Sequence, residues 1–267
     1  MSRPPAVAGR FYSGDSKSLT EEVRRHIKDA PEKTRVLGVL SPHAGFMYSG
    51  DVAGAVYSRI EIPDTVILLG PNHTGRGERV SVMTQGTWEM PQGNLEIDSE
   101  LASAISRASS IARPDERAHH HEHSLETQLP FIQYFRKKFK IVPICFMRLD
   151  LKECEEISRA IVQAVKETGR EVLVVASSDM THYESHESAS GKDRKAIDRI
   201  LHLDAPGLYN TVRDNNISMC GVNPTTVMLM YAGKMGAKEA ELVKYMTSGE
   251  VSGDMQNVVG YAGVIVK

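Results

Sequence analysis

A chain of 267 residues, 41% apolar and 25% charged, carries enough apolar material for a core without staples and lacks the composition of a disordered segment. Its formal net charge of −2 leaves no basic excess for nucleic acid and no polybasic tract for an anionic membrane, so the expected partner is small or neutral. Three cysteines, Cys145, Cys154 and Cys220, form no C-x-x-C pair, which argues for a reducing compartment and against a disulfide framework. The first residues, MSRPPAVAGRFYSGD, hold no apolar leader, and no apolar run approaches the roughly 20 residues that span a bilayer. The expectation is a cytoplasmic protein built as one domain over residues 1–267.

After an extended start, Ser18 and Glu21 read as an S-x-x-E capping box, opening a helix with Leu19, Val23 and Ile27 on one face. RVLGVL reads as a strand and leads into SPHAGFMYSG; the small apolar residues from Gly50 to Ser58 predict a helix packed on a sheet. TVILLG is a second strand and leads into PNHTG. The alternation and Gly/Pro breaks of RVSVMTQGTWEMPQGNLEI predict antiparallel strands, with Asp98 capping the next helix. ARPDERAHHHEH has no apolar periodicity and reads as a loop. A helix is expected from near Ser124, with Pro130 in its first turns and Leu125, Leu129, Ile132 and Phe135 on one stripe. Then follow a strand KIVPICFM, an amphipathic helix ending at Gly169, and a strand EVLVVASSDMTH that runs into Asp179 and His182. GKDRKAIDRILHL and NPTTVMLMYAGKMG predict helices; ELVKYMTSG and VVGYAGVIVK predict late strands. Strands alternating with helices imply an α/β fold, with a central, mostly parallel or mixed sheet flanked by helices on both faces.

Ligands of such sheets bind beyond the carboxyl ends of the strands. His43, His73 and His182 each follow an apolar strand within a few residues, so a parallel sheet would gather them at one rim, as a metal site requires. Singly, each reads as a structural histidine; together they point to chemistry. Cys220 lies in a loop before an apolar helix whose Pro224 suits a first turn, where the helix dipole favours thiolate; it is a candidate ligand or nucleophile. Cys145 and Cys154, inside a strand and a helix, read as inert. Most of HHHEH reads as solvated loop, because consecutive side chains on an extended segment diverge. His123 and Glu126, at the helix boundary, could turn inward to orient a ligand histidine. Asp179 could orient His182, leaving its imidazole as an acid or base. No G-x-S-x-G elbow surrounds Ser177 and Ser178, GPNHTGRG lacks the Gly-Lys-Ser/Thr end of a P-loop, and no G-x-G-x-x-G follows a strand.

AGRFY, SPHAGFMYSG, LGPNHTG, EHSLETQLPF, VVASSDMTHY and SMCGVNP, in this order across nearly the whole chain, resemble the Memo family. The resemblance implies a fold similar to the class III extradiol dioxygenases, which are non-haem iron enzymes. It implies metal ligands at His43, His73 and Cys220, an acid or base at His182 with Asp179 beside it, and a pocket lined by Phe11 and Tyr48. The dioxygenases hold iron with two histidines and a carboxylate; a thiolate as third ligand moves the preference towards copper or zinc as well as iron.

Three functions follow as expectations. One is a metal-dependent, dioxygenase-like oxidoreductase using iron or copper on a small molecule, with His182 moving protons. Another is a binding or adaptor module that keeps the pocket without turnover and receives a small-molecule or peptide ligand. The resemblance adds a protein partner for that module, a component of a radical-SAM system. The last is a zinc- or cysteine-dependent hydrolase, since His and Cys ligation also suits zinc.

Overall fold

Valine, isoleucine and leucine runs build the centre of the sheet. In spatial order these are β6 (Leu95–Ile97), β8 (Lys140–Phe146), β3 (Thr65–Pro71), β9 (Val172–Ser177) and β2 (Gly38–Ser41), each parallel to its neighbour. The structure is a computed structural model that describes residues 2–28 and 32–267. Every residue of β3 and of β9 is buried, so both sheet faces are covered, as the unbroken apolar runs require.

The flanks turn antiparallel. β12 (Val258–Val266) pairs with β2 and carries β11 (Ala240–Thr247) and the short β10 (His182–Glu184). On the far side β5 (Thr87–Trp88) lies antiparallel to β6 and parallel to β1 (Ser2–Arg3), while β4 (Val80–Val82) joins β8 to β7 (Ala112–Pro114). Among the described residues the result is a mixed sheet of twelve strands.

Helices α1 (Ser16–His26), α2 (Phe46–Ser58) and α4 (Leu129–Phe135) pack together, with α2 against β2, β11 and β12. A second group comprises α3 (Ser99–Ala108), α5 (Leu151–Thr168), α7 (Ala205–Asp214) and α8 (Val222–Lys234), with α8 against β2, β3 and β9. α6 (His186–Leu201) lies on β11 and β12, and α9 (Gly249–Ser252) is one turn. α5 shows why such helices form. Cys154, Ile157, Ile161, Ala164 and Val165 bury one stripe, Asp150 and Glu153 complete a capping box, and Gly169 closes the helix in the left-handed region at φ 63°.

Four local expectations are corrected. Asp15, not Ser18, caps α1: its carboxylate accepts the N–H groups of Lys17 and Ser18, which puts Ser18 inside the first turn. The segment after Ser124 begins as a 3₁₀ turn, Glu126–Gln128, before α4 starts at Leu129 with Pro130 in its first positions. Residues 112–123 are not all solvated loop, since β7 pairs with β4 and His119 and Glu122 are 0% and 1% exposed. α7 went unseen in the sequence, although Asp204 caps it and Pro206 stands in its first turn.

Candidate metal centre

β9 lies between β3 and β2, so the chain leaves three adjacent strand ends at one rim. His43 follows β2, His73 follows β3, and Asp179 follows β9. The backbone N–H of His43 donates to Asp179 Oδ1 at 2.9 Å, tying the first end to the third. Beyond β3 the Asn72 carboxamide oxygen accepts from the backbones of Thr74 and Gly75 and from the Thr74 hydroxyl, turning the chain immediately after His73. His123 arrives from the loop before α4. The ligand nitrogens of His43, His73 and His123 all lie within 4.8 Å of one another. Their ring centroids are 5.2 Å apart for His43–His73, 5.5 Å for His43–His123 and 4.8 Å for His73–His123.

Hydrogen bonds behind the rings decide which nitrogen faces inward. The Ser177 hydroxyl donates to the Ser124 carbonyl at 2.6 Å, an oxygen that can only accept, and it receives the Gln128 amide at 2.8 Å. Ser177 has no second proton to give, so its contact with His43 Nδ1 at 2.9 Å must be an N–H donation from the ring. His43 Nε2 is therefore the lone-pair nitrogen. The carboxylate of Glu122 fixes His73 in the same sense, taking Nδ1–H at 2.9 Å. His182 donates Nδ1–H to the Ser218 carbonyl at 2.9 Å and likewise keeps a free Nε2. Neutral imidazoles with oriented lone pairs are what a cation needs from histidine.

Burial sets the charge state of the cluster. Desolvation, reinforced by His73 and His123, holds His43 well below the ordinary histidine value, and burial lowers His123 too. His73 differs: burial opposes its protonation, but the hydrogen bond and charge of Glu122 outweigh it and raise the value. Glu122, for which burial alone would raise the value, is drawn down to about 2 by the His73 hydrogen bond and charge. Glu122 also accepts the backbone N–H groups of His73, His123 and Ser124, and its Oε1 lies 3.5 Å from His123 Nδ1.

Cys220 stands beside the cluster: its Sγ lies 3.3 Å from His43 Nε2 and receives the Asp179 N–H at 3.3 Å. It is not in the group of mutually close donors, whose third member is His123. Burial, then the Asp179 carboxylate, pushes the thiol up, so without a cation Cys220 stays protonated and is a poor free nucleophile.

Two expected orienting roles change. Asp179 holds the His43 backbone rather than the His182 ring, whose partner is the Ser218 carbonyl. Among the described residues Glu126 bonds to none of the three clustered histidine rings. It forms a buried ion pair with Arg3 at 2.6 Å and accepts from Ala6 N–H, Val7 N–H and the Tyr12 hydroxyl. The carboxylate behind the histidines is Glu122. Arg3 sits 4.0 Å over the Trp88 ring and also donates to the carbonyls of His119 and Glu122, at 2.6 Å each, so it pins both ends of the stretch that presents Glu122. Phe11 meets the His123 ring edge-on at 4.9 Å. Tyr48, in the first turn of α2, packs with Val259 against Val52, Met246 and Tyr261.

Sequence reasoning missed Glu122, Ser177, Gln128, Ser218 and Arg3 as supports. The usable signal for Glu122 was its place immediately before His123; nothing local marks Arg3.

A family model described as Memo-like protein matches residues 3–265. A MEMO1 family protein of Methanopyrus kandleri is 45% identical over 281 residues, covering 100% of this chain and 99% of that one. A relative from Methanosarcina mazei is 44% identical with 99% of each chain covered, and one from Desulfurococcus amylolyticus is 44% identical with 98% of each covered. Among solved structures, an uncharacterized Escherichia coli K12 protein superposes with a TM-score of 0.57 at 12% identity, over 86% of this chain and 100% of that one. That likeness concerns the fold alone.

Proposed function

The chain belongs to the Memo family, and from that premise we propose a metal-dependent, oxidoreductase-like protein acting on a small molecule, with iron or copper held by His43, His73 and His123. One observation carries this reading: the three imidazoles converge, and the hydrogen bonds behind His43 and His73 turn their Nε2 lone pairs into the shared space. A donor set of imidazoles beside one sulfur suits iron, copper and zinc. A bound ion would supply Lewis acidity there and, as iron or copper, one-electron chemistry.

The protein's own groups do the rest. His182, with Nδ1–H fixed by Ser218, offers Nε2 to take or return a proton. Asp179 is 5% exposed, and burial raises its value, so it is poised to hold a proton nearer neutrality than an ordinary carboxyl. Phe11 packs edge-on against one side of the His123 ring. Cys220 is the sulfur that could join the ligands once a cation displaces its proton.

A zinc-dependent hydrolase is the second reading, because three imidazoles with an open position also form a catalytic zinc set. Oxygen uptake by iron- or copper-loaded protein with small reductants separates the two. The oxidoreductase reading expects turnover that falls at least about a hundredfold in His182→Ala, the low end of a general acid–base contribution. Uptake equal to that of the free ion, with ester hydrolysis by zinc-loaded protein, would replace it with the second reading.

A further inference from the structure

Beyond the carboxyl ends of β3 and β8 lies a cavity of about 470 Å³ that the metal-centre reading does not use. Its apolar wall includes Met147, Leu149, Val212, Ile217 and Met219, and one side is formed by His73 and Cys220. Arg148 and Arg213 also line it, and no aspartate or glutamate does, although the chain holds 34 acidic residues against 32 basic ones. The wall is built in advance. Asn223 on α8 clasps Leu149 through both its N–H and its carbonyl, and the Tyr209 hydroxyl on α7 donates to the same carbonyl at 3.1 Å. The Arg148 carbonyl is held by Arg79 at 3.0 Å, and its guanidinium makes no ion pair among the described residues. Arg213 spends only its Nε on Asp214, a solvent-exposed pair that competes weakly for it.

We propose that this cavity binds a small organic acid with an apolar body and one terminal carboxylate. The carboxylate lies between Arg148 and Arg213, which present forked donors that match its two oxygens. The apolar body runs along the methionine-lined wall, and a volume in this range holds a ligand of small-metabolite size. The far end of the molecule points to His73 and Cys220, which would make it the substrate of the centre described above. That orientation rests on the metal-centre reading; occupancy of the cavity does not.

The test uses 4-phenylbutyrate and its uncharged primary amide with the full chain carrying methyl-labelled methionine, followed by NMR at low ionic strength. The acid is expected to shift the Met147 and Met219 methyl signals saturably, leave those of Met47 and Met255 in place, and bind about tenfold more tightly than the amide. The Arg148→Gln/Arg213→Gln variant should bind acid and amide alike while its cobalt(II) affinity stays that of the unaltered chain. Equal binding of acid and amide by the unaltered chain, no saturable shift, or shifts at other methionines would overturn the proposal. So would a preference for acid that survives in the double variant. The acid–amide comparison needs no substitution, so it decides even if the variant misfolds. A chain that binds the acid but no cobalt would sink the metal reading and leave this site standing.

Discussion

Glu122 grips His73 twice: one carboxylate oxygen takes the ring Nδ1–H at 2.9 Å and the other takes the backbone N–H at 2.5 Å. A single buried acid thus sets the tautomer, the ring orientation and the chain path of one metal-ligand candidate. Glu122→Gln keeps the volume and loses the charge. It should weaken cobalt(II) or zinc binding by roughly 10–100-fold. A competition titration against a chelator reads the change directly, with thermal unfolding run alongside to show that the fold persists.

The same pair fixes a pH dependence. His73 is raised above its ordinary 6.5 and Glu122 is lowered from 4.5 to about 2. For metal-free protein, the histidine contribution to stability is complete below about 6.5 and is lost as pH rises through the raised folded value. The glutamate contribution is complete above about 4.5 and is lost as pH falls towards 2. A cation must displace the Nε2 proton of His73, so metal affinity should fall about tenfold per pH unit below the folded value of that residue. The fall should begin at a higher pH than for an unpaired histidine. Cobalt(II) titrations across the range from mildly acid to mildly alkaline would show it.

Arg3 and Glu126 are both essentially shut off from solvent. Arg3→Met removes the guanidinium and strands a buried carboxylate, which should cost about 3–5 kcal/mol of stability in urea unfolding. It also frees the carbonyls of His119 and Glu122, so metal affinity should fall together with stability. Adding Glu126→Gln to Arg3→Met should recover part of the loss, because the uncompensated charge is gone.

His119 carries an acid-labile contribution of its own. It is fully buried with Nδ1 facing Cys145 Sγ at 3.4 Å, and burial, then the charge of Arg3, lowers it to about 3. Between its ordinary value and that point the unfolded chain binds a proton that the folded chain refuses. Stability should therefore drop by about 1.4 kcal/mol per pH unit on this account as pH falls. His119→Met removes that slope, and the difference in acid-unfolding midpoints between the two chains isolates it.

The rim was legible because three unbroken apolar strands, β2, β3 and β9, each end in polar residues within a few positions. Parallel packing then allows few other places for His43, His73 and Asp179. The Asp150-to-Gly169 helix was equally readable, since its stripe and caps are local signals. The loop before α4 was not. Which of Glu122 and Glu126 faces the histidines depends on Arg3, more than a hundred residues away, which claims Glu126 and holds the Glu122 carbonyl. No periodicity records that choice. His123, expected behind the candidate ligands, lies within the group of mutually close donors, and Cys220 Sγ lies beside that group, 3.3 Å from His43 Nε2.

The most direct measurement is the metal content of untagged protein, with cobalt(II) absorption used to count nitrogen and sulfur donors. This account predicts one ion per chain. Occupancy should be lost in His43→Ala, His73→Ala and His123→Ala while circular dichroism stays unchanged, and any sulfur-to-metal band should vanish in Cys220→Ser. An ion-free protein that also refuses added cobalt(II), or full occupancy in a folded His43→Ala/His73→Ala chain, would contradict it.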